Sequence, residues 1–111
     1  MSKKVIGEFS FDWDDNKEKY NIRHHKGLSF SDAASIWMNP ELVLDIPDER
    51  FDYGEDRWIA IDPLPSDHRK IVLVAYTNRG ENIRIITARY AEKTEERAYR
   101  ERFKKGNYYG K

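Results

Sequence analysis

The chain has no cysteine among its 111 residues, which excludes disulfides and thiolate chemistry and suits a reducing compartment. It lacks any run near the ~18 consecutive apolar residues of a membrane-spanning helix. Its first residues, MSKKVIGEF, lack the apolar stretch of a signal peptide. A cytoplasmic protein away from the membrane is the expectation. Net charge is also missing: 20 Lys and Arg offset 20 Asp and Glu, so the overall balance argues neither for nor against a nucleic-acid partner. There is no internal repeat, no Gly-rich phosphate loop and no Ser-His-Asp pattern. The histidines do not make a metal site. His24 and His25 are adjacent rather than a helical turn apart, and His68 sits in a remote turn beside Asp67. No cofactor and no metal are expected.

What is present is charge, at 36% of residues, against a modest 39% apolar fraction. That combination predicts one domain with a small core and a heavily ionised surface. The charge is unevenly placed. Between Glu41 and Asp56 seven acidic residues face Arg50 alone, whereas between Arg84 and Lys105 eight basic residues face four acidic ones. A neutral protein so divided can present a local anion site.

Val5 to Phe11 reads as a short strand weakened by Gly7. Asp14, Asp15 and Asn16 are capping residues, and Asp15 with Glu18 mimics a capping box for a polar helix over 15–25 that Gly27 stops. Ser29 or Ser31 caps a second helix, whose Phe30, Ala33, Ala34 and Trp37 form one apolar face directed at the core; Pro40 ends it. Strands follow at Glu41–Ile46, Arg57–Asp62 and Ile71–Thr77, the last apolar enough to be central. An acidic loop separates the first two, and a Pro-rich turn over Pro63–His68 separates the next pair. The layout is α+β: two N-terminal helices, an antiparallel sheet of about four to five strands, and a C-terminal helix. The domain is expected to span 1–105, with 106–111 a mobile tail.

The stretch Ile83–Tyr99 begins as a β-branched strand and ends as a run of helix formers. It fixes Arg84 and Arg89 on rigid elements, and two held guanidiniums suit a phosphate. Strand alternation places them on opposite faces unless the strand ends or bulges near Ala88.

Taken in order, FDWDDNKEKYN, then His25-Lys26-Gly27 with Leu-Ser-Phe-Ser-Asp-Ala, Asp56-Arg57, Val74-Ala75-Tyr76-Thr77, and Arg84-Ile85-Ile86-Thr87-Ala88-Arg89 with Ala91, Glu95 and Tyr99 resemble the BrnT toxins. The resemblance covers roughly residues 9–103. It implies a RelE-like fold and a type II toxin that is an endoribonuclease stopping translation. It also implies a BrnA-type antitoxin that contacts operator DNA on the toxin's behalf. The family's Lys-His-Gly is altered here to His24-His25-Lys26-Gly27. With Gly27 and Phe30 holding register, Lys26 is the inserted residue, His25 matches the family histidine and His24 stands where lysine is usual. Alternatively Lys26 swings back to supply that ammonium.

RNA is cleaved without a metal when its 2′-hydroxyl attacks the adjacent phosphate. The reaction needs a base, cations for the phosphorane and an acid for the leaving 5′-oxygen. His25 is the candidate proton carrier. Lys26, Arg57, Arg84 and Arg89 are the candidate cations, Tyr99 a proton donor or stacking ring, and Glu95 a residue that orients an arginine or acts as base. Each has an ordinary counterpart: a histidine at a helix end, an Arg57–Asp56 surface pair, a core-edge tyrosine. A second function class keeps the fold without turnover, as a partner- or nucleic-acid-binding module; the altered His-His-Lys-Gly segment motivates it.

Overall fold

The computed structural model describes residues 1–39, 44–48 and 54–109, with side chains left aside at 44, 45 and 102–109. The N-terminal segment is a hairpin, β1 (Ser2–Ile6) and β2 (Phe9–Trp13), rather than the single strand expected over Val5–Phe11. The residue that looked like a weakness is the turn: Gly7 takes φ 57°, a left-handed value that glycine adopts without a Cβ penalty. Helix α1 (Asp15–His24) follows, then α2 (Phe30–Ala34), which tightens into a 3₁₀ turn over Ser35–Met38. Next come β3 (Leu44–Pro47), β4 (Trp58–Leu64), β5 (Asp67–Arg79), β6 (Asn82–Tyr90) and α3 (Lys93–Tyr109).

These strands form one six-stranded sheet in the order β1-β2-β6-β5-β4-β3. The sheet is mixed, not antiparallel, because β2 pairs with β6 in parallel, Phe11 beside Ile83 and Trp13 beside Ile85. That contact joins segments seventy residues apart, and no local pattern in the sequence announces it. The expected four to five strands are therefore corrected to six.

The turn read over Pro63–His68 shrinks to Pro65 and Ser66, with Pro63 and Leu64 in β4 and Asp67 and His68 in β5. Proline is tolerated at 63 because the β4–β5 register shifts between Pro63 and Leu64, an irregularity of the kind where strands accept proline. The expected strand start at Glu41–Val43 and most of the acidic loop, Glu49–Tyr53, lie outside the described residues. Helix α3 continues past residue 105 to Tyr109, and Gly110 and Lys111 lie outside the described residues.

The core lies against one sheet face. Phe30, Ala33 and Ala34 of α2 are fully buried on Phe11, Trp13, Val74, Tyr76, Ile83, Ile85 and Ala88. Trp37 completes that helical stripe edge-on against Phe11 and Tyr76. Strand β5 is buried from Ile71 through Thr77, the central strand its apolar run predicts. Helix α1 is capped by Asp14, which accepts from the Asn16 and Lys17 N–H groups, and not by Asp15. Glu18 instead accepts from the Trp13 indole at 3.2 Å and the Phe30 N–H at 2.8 Å, tying β2 to α2.

Candidate active site

The site starts from how α1 meets β6. Strand β2 pairs with β6 only as far as Ile85, so beyond that point the outer edge of β6 needs another partner. Asn21 supplies it. Its carboxamide oxygen accepts from the Ala88 N–H at 3.0 Å and the Thr87 hydroxyl at 3.1 Å, while its nitrogen donates to the Leu28 carbonyl at 3.0 Å. Asn21 is 2% exposed, whereas its apolar neighbours Tyr20 and Ile22 are 63% and 40% exposed. The helix that sequence marks as lightly attached is thus held by an amide, which no apolar periodicity reveals.

This anchor fixes the end of α1. The Gly27 N–H donates to the Ile22 carbonyl at 2.9 Å, the six-residue closure of a Schellman cap. Lys26 therefore takes the left-handed position, φ 55°, that glycine usually fills. His25 is the cap residue. His25 is half-buried beside Arg89; burial first, then the Arg89 and His24 charges, hold its imidazole below its ordinary pKa. At neutral pH it is an unprotonated ring next to a cation.

Arg89 reaches this place because β6 bulges. Ala75 pairs with Thr87 but Tyr76 pairs with Ile85, leaving Ile86 as the extra residue. The buried positions accordingly switch from Ile83 and Ile85 to Ala88. The bulge puts Arg84 and Arg89 on the same face, away from the core, where Arg84 lies level with Thr77 and Arg89 with Leu73. About 13 Å of strand separates them, four residues along β5. Between them Ile59, Leu73, Ala75 and Thr87 line a shallow cleft of about 120 Å³ that ends on Arg89.

Both arginines are held by carboxylates. Glu95 grips Arg89 through two parallel bonds of 2.7 Å each and also accepts from the Glu92 N–H at 2.9 Å, closing the first turn of α3. The guanidinium draws the Glu95 carboxyl down to about 2. Arg84 donates to the buried carboxylate of Asp12, which also accepts from Asn82. Arg57 precedes Trp58, whose partner is Tyr76, so it stands level with Thr77 and Arg84. The Thr77 hydroxyl pins that approach by donating to the Asp56 carbonyl at 2.7 Å, and Arg57 pairs with Glu55 at 3.3 Å.

The predicted residues thus divide. His25, Arg89 and Glu95 meet where α1, β6 and α3 converge. Arg57 and Arg84 occupy the far end of the same sheet face. Lys26 turns into a neighbouring depression with Arg69, Lys70 and Tyr90. Tyr99 joins neither group: its hydroxyl donates to Asp62, 1% exposed on the core face. Burial and that carboxylate push the phenol well above its usual range. Sequence reasoning missed Asp12, Asn21 and Asp62. Asp12 was legible as the polar residue alternating with Phe11 and Trp13.

The family profile described as ribonuclease toxin, BrnT, of type II toxin–antitoxin system matches residues 13–95. The chain belongs to the BrnT family. The matched span contains His25, Arg57, Arg84, Arg89 and Glu95, and Tyr99 lies beyond it. Among solved structures, the crystal structure of the Brucella abortus ribonuclease toxin, BrnT, matches with a TM-score of 0.57 and 24% identity. The match covers 75% of this chain and 96% of that one. At that identity it shows a BrnT-like fold, and no curated protein matches the chain. Membership of a type II toxin family implies an antitoxin partner. No helix among the described residues is long and apolar enough to cross a membrane.

Proposed function

We propose that this BrnT-family protein is a metal-independent endoribonuclease that stops translation by cutting RNA. In this reading the kinship to RelE implied by the sequence holds. A BrnA-type antitoxin neutralises the toxin, and operator DNA is contacted only through that antitoxin.

The observation that carries the reading is the half-buried His25 ring at the cap of α1, whose proton affinity is lowered by burial and then by the charge of Arg89. An unprotonated imidazole can take the 2′-hydroxyl proton, and a guanidinium at the same spot can stabilise the phosphorane charge as it develops. Glu95 is the positioning residue that aims Arg89. Arg84 and Arg57, each paired with a carboxylate, offer further guanidinium donors along the sheet face to the RNA backbone. Tyr99 has no direct part in this scheme; it fastens α3, and therefore Glu95 one turn earlier, to β4. The test is cleavage of single-stranded RNA by purified protein in chelator, compared with His25→Ala and Arg89→Ala. Both variants should lose at least 100-fold in rate, one charge-stabilising donor alone contributing about that much.

One observation favours the binding-module alternative: Arg84 and Arg89 are both engaged by carboxylates. A module of that kind should bind RNA or its partner, leave RNA uncut, and keep its effect on growth when His25 is replaced.

A further inference from the structure

Beside the His25–Arg89 cluster lies a second depression of about 260 Å³, lined by Lys26, Arg69, Lys70, Tyr90 and Glu96 with Ile71 and Ala91 at its base. Its cations come from two elements that only the fold brings together, the cap of α1 and the start of β5. Its acidic lining residue, Glu96, pairs with Arg100 at 3.4 Å; Arg69 is paired with Asp67 at 3.1 Å, an exposed pair whose guanidinium a phosphate can share. The Lys70 ammonium sits 5.7 Å over the half-buried Tyr90 ring. Lys26 is adjacent in sequence to His25 and Tyr90 to Arg89, so this basin lies around the end of β6 from the proposed reaction site, Tyr90 packing toward the core side and Arg89 facing away from it.

We infer that this depression is a second nucleotide subsite, holding a nucleotide of single-stranded RNA that flanks the cleaved bond. Its phosphate is taken by Lys26, Arg69 and Lys70, and its base stacks on Tyr90. The inference rests on the ribonuclease reading for the identity of the ligand. An exposed ammonium–ring contact is weaker than stacking a base on an aromatic ring. The exchange therefore favours RNA: the base displaces Lys70 from the ring, and the freed ammonium meets the phosphate that arrives with it.

The test is binding of a labelled single-stranded RNA of about 12 nucleotides, within the usual site sizes for such proteins, followed by fluorescence polarisation in a His25→Ala background. Adding Arg69→Ala and Lys70→Ala should weaken binding about tenfold at low salt. It should also make the log K against log salt slope shallower by about 1.4, two contacts at about 0.7 each. Tyr90→Leu, which keeps bulk for the core, should weaken binding about fivefold and leave the slope alone. An unchanged slope in the double variant, or unchanged affinity in Tyr90→Leu, overturns the subsite. Failure of the unaltered protein to cut RNA overturns the ribonuclease reading instead, because the binding measurement needs no turnover.

Discussion

Glu95 holds the Arg89 guanidinium by both of its oxygens, 2.7 Å on each side, and uses one of them again to cap α3. One carboxylate thus couples the start of a helix to the aim of a cation. Glu95→Gln should separate the two duties. Glutamine serves at the third position of a capping box, so the melting temperature should stay within a degree or two. It cannot grip the fork with two anionic oxygens, and a misaimed group costs about 10²-fold in rate. Single-turnover cleavage at saturating RNA should show that loss in kcat with KM little changed. A lower melting temperature with unaltered kcat would reduce Glu95 to a cap.

The His25 ring should titrate below 6.5, followed by NMR of its ring protons. An Arg89→Met/Glu95→Gln double variant removes the pair beside it. Because burial is the larger cause, the value should then rise without reaching 6.5. A histidine depressed in the folded state is protonated more readily in the unfolded chain. Its contribution is therefore complete above about 6.5 and is lost as pH falls through the lowered folded value. Activity should keep to the same side, with its acid limb below 6.5.

Tyr99→Phe distinguishes structure from chemistry. It leaves the buried Asp62 carboxylate with Asn39, 2.7 Å away, as its remaining described side-chain donor. Losing a hydrogen bond to a charged group costs about 1.5–3 kcal/mol. Denaturant unfolding should register that loss, while kcat changes less than threefold. A hundredfold fall in kcat at unchanged stability would restore Tyr99 as the proton donor.

Lys26→Gly should stabilise the fold by about 1 kcal/mol, since a left-handed φ costs an L-residue roughly that much and glycine nothing comparable. Thermal melting would show a rise of a few degrees. RNA affinity should fall in the same variant as the ammonium is lost. A lysine kept in a glycine position at the expense of stability is what a binding role for that charge requires.

Much of this fold is legible in the sequence. The apolar stripe of α2, the central β5 and the strand-to-helix joint at Arg89 follow from local periodicity, and each has the place that periodicity assigns. What stayed hidden depends on partners distant in the chain. The parallel pairing of β2 with β6 and the amide clamp of Asn21 on Ala88 have no local signature. Gly7 reads in the sequence as a defect in one strand, whereas it is the turn between two. The bulge at Ile86 is the instructive case. Alternation alone puts Arg84 and Arg89 on opposite faces, and the sequence could state the condition for their sharing a face but not that β6 meets it.

The most direct measurement is cleavage of single-stranded RNA by the purified protein in excess chelator, with product ends analysed and His25→Ala run alongside. The account predicts fragments ending in 2′,3′-cyclic phosphate, the mark of 2′-hydroxyl attack, and at least a hundredfold slower cleavage by a variant whose melting curve is unchanged. Intact RNA, or equal cleavage by the variant, would contradict it.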